Sequence, residues 1–383
     1  MGVEKRVVIV DFNHMVHTYF HSQHRLSVTV NQGGLIVNKD TTIQNGCLKS
    51  IHRWSNGGVN PTAVCFDRPV PARKHYWSTK FSDMREGSGK EYKGGREKMP
   101  DAMFQGSSDC EQVLRQAGVS CYAVPNYEAD DLIFACVKRA KEKYPGLPID
   151  VITNDADLLP LVDDTVSVFI RSKKGTWAEN KDIEKLHYIQ VTPRNYQSVV
   201  EDMSAYKGFY VPYNTLLLHK LLRGDASDQF KRPDISKMFP PKKYNAFIQA
   251  LEDDKINLPE IFRYGEPRFE IYNTETGVVW AGSKEEALAS PDKAKLRQRV
   301  KMPEELEAIL DVLRWHTSLS EEQLEAISGV YTGMNLNQVY VGDMPVYTRK
   351  PFVVGGRTTD IEQFSEIELQ KAVAPLQIRL SIK

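Results

Sequence analysis

The chain has 383 residues, enough for two or three domains, and its 41% hydrophobic and 26% charged residues are ordinary for a soluble globular protein. Lysine plus arginine and aspartate plus glutamate number 50 each, so the net charge of +0 leaves the question of nucleic-acid binding to local charge. Five cysteines without a C-x-x-C pair disfavour a disulfide framework or zinc ribbon. No membrane span or signal peptide is predicted, and a cytoplasmic protein is expected.

Two predicted strands end in an acid. Residues 7–10 form a β-branched run that predicts a buried strand, and Asp11 follows it. Residues 62–66 predict a second strand, which Asp67 follows. A carboxylate at the carboxyl end of a strand lies where α/β sheets bind ligands. For Asp11, capping of the next helix is an equally open alternative.

Four histidines recur at helical spacing after the first strand: His14, His17, His21 and His24. They could bind a transition metal as neutral imidazoles. The favoured interpretation is a polar helix face beside the acids, where the nearby carboxylates would favour the charged form of histidine.

The segment from Arg73 to Lys98 is basic and aromatic. Eight lysines and arginines stand against four acids, with Tyr76, Trp77, Phe81 and Tyr92 between them. Basic side chains neutralise phosphates and aromatic faces stack on unpaired bases, so this mixture favours binding of single-stranded nucleic acid. A solvated surface loop is the alternative.

The main acidic motif is Glu128-Ala129-Asp130-Asp131, which opens an apolar helix. A further apolar strand over residues 151–153 is followed by Asp155 and Asp157. Acids that meet at one sheet edge would repel each other without cations between them, and oxygen ligands suit Mg²⁺ or Mn²⁺. The sequence therefore predicts a divalent-metal site.

Strands alternate with helices as far as about residue 195, which predicts an α/β domain with a mostly parallel, doubly wound sheet. Helical patterns follow, including an apolar run over 215–222 that leads into Gly224-Asp225-x-x-Asp228. A basic cluster suited to duplex phosphates comes next. Its members are Lys231, Arg232, Lys237, Lys242 and Lys243. We predict a core over 1–195 with an arch at about 73–105, a helical DNA-binding region over 196–260, and a C-terminal region of unknown role over 261–383.

Taken in order, these motifs resemble the structure-specific 5′ nucleases: flap endonucleases, the 5′–3′ exonuclease domain of bacterial DNA polymerase I, and phage ribonuclease H/5′ exonuclease-type enzymes. The motifs are Asp11, Phe66-Asp67, Tyr92-Lys93-x-x-Arg96, Glu128-Ala129-Asp130-Asp131, Asp155-x-Asp157 and Gly224-Asp225-x-x-Asp228. The resemblance covers residues 1 to about 230. It implies a PIN-like 5′ nuclease core in a stand-alone, phage-type enzyme that acts in the host cytoplasm.

The resemblance implies a role for each matching position. One Mg²⁺ would be surrounded by Asp11, Asp67, Glu128 and Asp130, and a second by Asp155, Asp157 and Asp225, with Mn²⁺ as a substitute. Asp131 and Asp228 would act in the outer shell or through water. Lys93 and Arg96 would contact the scissile phosphate, and Tyr92 would stack on a terminal base. Arg73, Lys80, Arg85 and Lys90 would bind nucleic acid along the same arch.

The segment after Asp228 departs from the family. A Gly-x-Gly-x-Lys hairpin that grips duplex DNA, often through K⁺, usually follows, but here residues 229–237 contain no glycine pair. The K⁺ site is therefore in doubt, and we expect side chains to hold the duplex instead.

The resemblance also implies a substrate and partners, and two alternative functions stay open. DNA or RNA–DNA hybrid with 5′ ends or flaps is the expected substrate, a monomer the expected state, and a replication clamp or single-strand-binding protein the candidate partner. Gln377-Ile378-x-Leu380 loosely resembles a clamp-binding peptide, and a final edge strand is the favoured alternative for this tail. The rival functions are a PIN-like ribonuclease and a catalytically inactive DNA-binding scaffold.

Overall fold

The computed structural model describes most of the chain. The residues outside the description are 1–4, 22–25, 33–34, 69–98, 125–126, 172–187, 225–232, 263–267, 277–278, 281–290, 292, 302–303, 335–352, 355–356, 359, 379 and 381–383. The described residues form two compact units. The first unit comprises those within 1–71, 95–200 and 350–383, and the second comprises those within 201–349.

Strands are numbered in chain order through the described residues. They are β1 (Val7–Asp11), β2 (Ser27–Gln32), β3 (Leu35–Asp40), β4 (Thr62–Cys65), β5 (Ser120–Tyr122), β6 (Ile149–Thr153), β7 (Val166–Arg171), β8 (Tyr188–Val191), β9 (Arg268–Asn273), β10 (Val279–Trp280), β11 (Leu296–Lys301), β12 (Val353–Val354) and β13 (Arg357–Thr358).

Helices are numbered in the same way. They are α1 (Phe12–Phe20), α2 (Thr42–Trp54), α3 (Asp101–Gln116), α4 (Ala129–Lys143), α5 (Tyr196–Asp202), α6 (Leu216–Arg223), α7 (Pro233–Ser236), α8 (Pro241–Asp253), α9 (Leu258–Ile261), α10 (Glu304–His316), α11 (Glu321–Met334) and α12 (Glu366–Val373). Short 3₁₀ turns span Ala156–Leu161, Ser204–Tyr206, Lys293–Lys295 and Ala374–Leu376. Among the described residues, no helix is long and apolar enough to cross a membrane.

The first unit is built on a six-stranded sheet in the order β5-β4-β1-β6-β7-β8. All its pairs are parallel except β7 with β8. Every residue of β1, β4 and β6 is buried, which explains their near-continuous apolar sequences, because central parallel strands are covered on both faces. This sheet confirms the predicted α/β fold class. All five cysteines are free and buried within this unit.

The second unit contains the helices α6 to α11 and a three-stranded antiparallel sheet in the order β10-β9-β11. Prolines divide its helices, since Pro233 opens α7, and Pro240 and Pro241 open α8. Proline has no backbone N–H and suits the first turn of a helix, so a new helix begins at each of these positions.

Residues 360–378, here called the C-terminal strap, belong to the first unit and pack on the rest of it. Thr62 donates its backbone N–H to Glu362 O over 3.0 Å, and Phe364 N–H donates to Gly58 O over 3.3 Å. Ile361, Leu369 and Ile378 are buried, the last two in the same hydrophobic core as β1 and α3. The predicted edge strand for the tail is wrong as far as residue 378, because α12 and a 3₁₀ turn pack an apolar helical face there instead.

The hairpin of β2 and β3 was missed by the sequence analysis. Its six residue pairs run from Ser27 with Asp40 to Gln32 with Leu35. Helix α1 ends at Phe20, and His21 is its C-cap. Of the four histidines at helical spacing, His14 and His17 therefore lie within the helix. The predicted domain boundaries at 195 and 260 stay predictions.

Candidate active site at the carboxyl edge of the sheet

Three neighbouring strands end at one edge of the first unit. The register pairs Asp11 with Cys65, and Val10 with Ile152, so β4, β1 and β6 finish side by side. Asp11 is the last residue of β1, Asp67 follows β4 by two residues, and Asp155 follows β6 by two residues. The topology therefore brings the predicted strand-end acids to one edge.

Asp11 is buried, at 7% exposure, and hydrogen-bonded on both oxygens. Oδ1 accepts the backbone N–H of His14 over 3.2 Å, and Oδ2 accepts the hydroxyl of Thr153 over 2.8 Å. Burial, followed by the nearby charge of Asp67, raises the pKa of Asp11 to about 6. The capping interpretation of Asp11 is therefore confirmed, whereas its role in binding a metal stays a prediction.

Asp67 links α1 to the beginning of α4. Its Oδ1 accepts the backbone N–H of Ala129 over 2.6 Å, and its Oδ2 accepts the side-chain amide of Asn13. The N-terminus of a helix favours negative charge because its first N–H groups have no partner within the helix. The chain therefore holds the Asp67 carboxylate against the helix that carries the acidic motif.

The acidic motif forms the N-terminal cap of α4. Glu128 is the N-cap, and the side chains of Glu128 and Asp131 form a reciprocal capping box, in which Glu128 N–H donates to Asp131 Oδ2 over 3.2 Å. Both residues are buried, whereas Asp130 is partly exposed. Asp131 thus has a structural partner, and its outer-shell role stays a prediction.

Asp155 and Asp157 begin the 3₁₀ turn after β6. Asp155 Oδ1 accepts the backbone N–H of Asp157 over 2.9 Å, and the N–H of Asp155 donates to Thr153 Oγ1 over 3.0 Å. Both acids are partly exposed. The turn therefore presents two carboxylates at the edge where β1 and β4 also end.

The donor set suits a hard divalent cation, because carboxylate oxygens are preferred ligands of Mg²⁺ and Mn²⁺. Burial raises the pKa of Asp11 most and repulsion from Asp67 raises it next, and a cation between the two carboxylates would relieve that repulsion. No three His, Cys, Asp or Glu side chains converge closely enough to hold an ion within the described part of the chain, which omits Asp225 and Asp228. The acids thus fit in chemistry and charge, while a closed ligand set is not formed by the described residues.

The predicted nucleic-acid contacts are only partly described. Residues of the predicted arch lie outside the described residues, as do two members of the basic cluster. These are Arg73, Lys80, Arg85, Lys90, Tyr92, Lys93 and Arg96, with Lys231 and Arg232. In the second unit, Lys237 is exposed after α7, and Lys242 and Lys243 are exposed in the first turn of α8.

The prediction that the acids keep the α1 histidines charged is wrong for His14. Burial, followed by the positive charges of Arg171 and His17, lowers the pKa of His14 to about 4. His14 Nε2 lies 3.2 Å from the hydroxyl of Tyr188. His14 is therefore a neutral imidazole in a mostly buried position, and His24 lies outside the described residues.

Two polar residues at the edge were missed. Asn13 holds Asp67, and Thr153 holds Asp11. The available signal was their place beside the predicted acids, in Asp11-Phe12-Asn13 and Thr153-Asn154-Asp155. Neither residue type stands out alone, because asparagine and threonine are common at caps and strand ends.

The sheet and its acid-lined edge define an α/β domain with a candidate hydrolytic site. Residues 6–187 match the family model described as 5′-3′ exonuclease, N-terminal resolvase-like domain. This match over residues 6–187 agrees with the resemblance to 5′ nucleases that the sequence motifs indicated.

Curated relatives match over the same region. A 5′-3′ exonuclease of Buchnera aphidicola is 26% identical over 183 residues, which are 48% of this chain and 57% of that protein. DNA polymerase I of Lactococcus lactis subsp. lactis is 29% identical over 148 residues, 39% of this chain and 14% of the polymerase. The chain thus covers less than two thirds of the length of each of these relatives.

Solved structures give a weaker likeness. A flap endonuclease of bacteriophage T5, in complex with DNA and metal ions, has a TM-score of 0.44 at 11% identity, covering 86% of this chain and 99% of the other. Human GEN1 bound to Holliday junction DNA has a TM-score of 0.35 at 11% identity, covering 86% and 72%. With TM-scores below 0.5, the fold rests on the sheet and on the family match.

Proposed function

We propose that the chain is a Mg²⁺-dependent, structure-specific 5′ nuclease, acting as a 5′–3′ exonuclease and flap endonuclease that also removes RNA primers. The observation that carries the proposal is the placement of three strand-end acids along one edge of the sheet, within the region that matches the 5′-3′ exonuclease domain. The reaction is hydrolysis of a phosphodiester, leaving a 5′-phosphate and a 3′-hydroxyl.

The acids would hold two Mg²⁺ ions, with Mn²⁺ as a substitute. Asp11, Asp67, Glu128 and Asp130 would hold one ion, and Asp155, Asp157 and Asp225 the other. Asp131 and Asp228 would act through water. When bound, such ions lower the pKa of a water and stabilise negative charge on the phosphate.

The chain's own groups orient these acids. Asn13 and the N–H of Ala129 fix the two oxygens of Asp67, and the N–H of His14 fixes one oxygen of Asp11. These donors are in place before substrate arrives, so little reorganisation is needed during the reaction.

The predicted arch would bring positive charge to the nucleic acid. Lys93 and Arg96 would stabilise charge on the scissile phosphate, and Tyr92 would stack on a terminal base. Arg73, Lys80, Arg85 and Lys90 would neutralise phosphates of the single strand.

In the second unit, exposed lysines would hold the duplex. Lys237, Lys242 and Lys243 are exposed, as electrostatic contacts to phosphates require, and Lys231 and Arg232 would extend the same cluster. Because side chains replace the glycine hairpin, weak preference for K⁺ over Na⁺ is expected, so a K⁺ site is not part of the proposal.

A monomer acting in the cytoplasm, or in the host cytoplasm for a phage enzyme, is the proposed setting, with a replication clamp or single-strand-binding protein as partner. The tail is not favoured as the clamp-docking peptide, because Ile378 is buried in the core. Clamp stimulation that is lost in Gln377→Ala, whose side chain is exposed, would reinstate the tail.

The deciding experiment compares cleavage of 5′-flap, nicked, RNA–DNA hybrid and single-stranded substrates, with Mg²⁺ and with a chelator. The proposal expects chelator-sensitive cleavage at 5′ ends or flaps. Cleavage of single-stranded RNA alone would favour the PIN-like ribonuclease. Flap binding without cleavage at any Mg²⁺ or Mn²⁺ concentration would favour the inactive scaffold.

A further inference from the structure

Thr153 links Asp11 to the turn that carries Asp155 and Asp157. It is the last residue of β6, and its exposure is 0%. Its hydroxyl donates to Asp11 Oδ2 over 2.8 Å and accepts the N–H of Asp155 over 3.0 Å. A hydroxyl has one proton to donate, so these two bonds fix both its direction and its role as donor to Asp11.

The hydrogen bonds continue beyond Thr153. Asp155 Oδ1 accepts the N–H of Asp157 over 2.9 Å, so the bonds run without a break from Asp11 on β1 to the turn after β6. The parallel register places the ends of β1 and β6 side by side. A shift of either strand end would therefore break a bond to this hydroxyl.

The residue type also fits the position. The branched Cβ of threonine restricts its χ1 angle, so the hydroxyl needs little ordering. Valine would fill nearly the same space without the hydroxyl, leaving Asp155 N–H and Asp11 Oδ2 without this partner.

We propose that Thr153 is a positioning residue, whose hydroxyl holds Asp11 and the Asp155–Asp157 turn in one arrangement for divalent-ion binding. This rests on the proposed function. Partners of this kind orient metal ligands without touching the ion, and their loss typically lowers metal affinity. The effect should appear in ion binding without DNA.

The test measures Mn²⁺ affinity by calorimetry on the full chain, without nucleic acid, for the wild type, Thr153→Val and Thr153→Ser. Thr153→Val should weaken Mn²⁺ binding by roughly 10–100-fold, and Thr153→Ser should stay close to the wild type because it keeps the hydroxyl. The Mn²⁺ concentration needed for half-maximal flap cleavage should shift in the same direction.

The matched control is Thr62→Val. Thr62 is also fully buried in a central strand, and its hydroxyl donates over 2.8 Å to Asn60 O, at the amino end of β4. This variant should lose stability but keep its Mn²⁺ affinity. If Thr153→Val does not fold, Thr153→Cys takes its place with the same expected loss, because a thiol is a weak donor.

The outcomes separate the two proposals. Unchanged affinity in the Thr153 variant, or an equal loss in Thr62→Val, overturns the role of Thr153 while the wild type still binds Mn²⁺ and cleaves. A wild type that neither binds Mn²⁺ nor cleaves overturns both.

Discussion

The two ends of α4 are built in opposite ways. At the N-terminal end, Asp11 and Asp67 lie near each other, and burial and repulsion raise the pKa of Asp11 to about 6. At the C-terminal end, Arg139 donates to both oxygens of Asp360, over 3.1 and 2.7 Å, and hydrogen bonds from Arg139 lower the pKa of Asp360 to about 2. Burial and a like charge thus raise a carboxyl pKa at one end, and hydrogen bonds from a cation lower one at the other.

Other strap residues also contact the C-terminal end of α4. Lys143 lies 3.1 Å from Asp360 and also pairs with Glu362, and Tyr144 donates its hydroxyl to Ile361 O over 2.8 Å. Paired acids stabilise a fold, whereas acids with a raised pKa near like charges cluster at functional sites. We therefore propose that the strap end of α4 contributes mainly to stability and the acidic end to catalysis.

The largest expected effect is at the acidic end. Asp155→Asn should slow single-turnover flap cleavage by more than roughly 100-fold. Loss of a group that only orients a metal ligand costs up to about that factor, and loss of the ligand itself should cost more. Flap affinity should be kept or improved, because a negative charge near phosphates is removed. A rate near the wild-type value with Mg²⁺ would remove Asp155 from the site.

At the strap end, Asp360→Asn should lower stability by about 1–2 kcal/mol, because two partly exposed cations lose their shared carboxylate. Thermal unfolding measures this loss, and a double-mutant cycle with Arg139→Ala isolates the pair. Lys371→Ala is the control, because its ion pair with Glu368 is exposed and within one helix. Equal shifts for both variants would contradict the structural role of Asp360.

The stability contribution of Asp360 should depend on pH with a definite sign. Its pKa falls from 3.8 to about 2 on folding, so its contribution is present above about pH 4 and is lost as the pH falls toward 2. The stability difference between the wild type and Asp360→Asn, from chemical denaturation, should therefore shrink over this range. A constant difference down to pH 2 would mean that Asp360 is not held by charge.

The smallest expected effect concerns the second unit. Substitution of Lys242 and Lys243 together by alanine should weaken binding to duplex-containing flaps more than to single strands, and should flatten the salt dependence of flap binding. Binding titrations at several salt concentrations measure both. Equal losses of affinity on the two substrates would mean that these lysines attract any nucleic acid and do not bind the duplex specifically.

The acidic end was more predictable from the sequence than the strap end. Strand-end acids such as Asp11 and Asp67 follow apolar runs, and parallel strands bring their carboxyl ends together, so local patterns were sufficient. Asp360 gave no local signal, because its partner Arg139 is 221 residues away in the chain. Thr153 was missed for a similar reason, since its partner Asp11 lies 142 residues away on another strand.

The charge state of His14 also depended on packing. Its spacing from the acids suggested a protonated ring, but burial and the cation Arg171 from a distant strand determine its pKa. Sequence spacing cannot reveal desolvation.

The most direct measurement compares Asp67→Asn with Asp360→Asn on a 5′-flap substrate with Mg²⁺, recording single-turnover rate and thermal stability for each. We expect Asp67→Asn to lose cleavage with little loss of stability, and Asp360→Asn to lose stability while its rate below the unfolding transition stays close to the wild type. Full cleavage by Asp67→Asn would show that the acidic edge of the sheet is not the catalytic site.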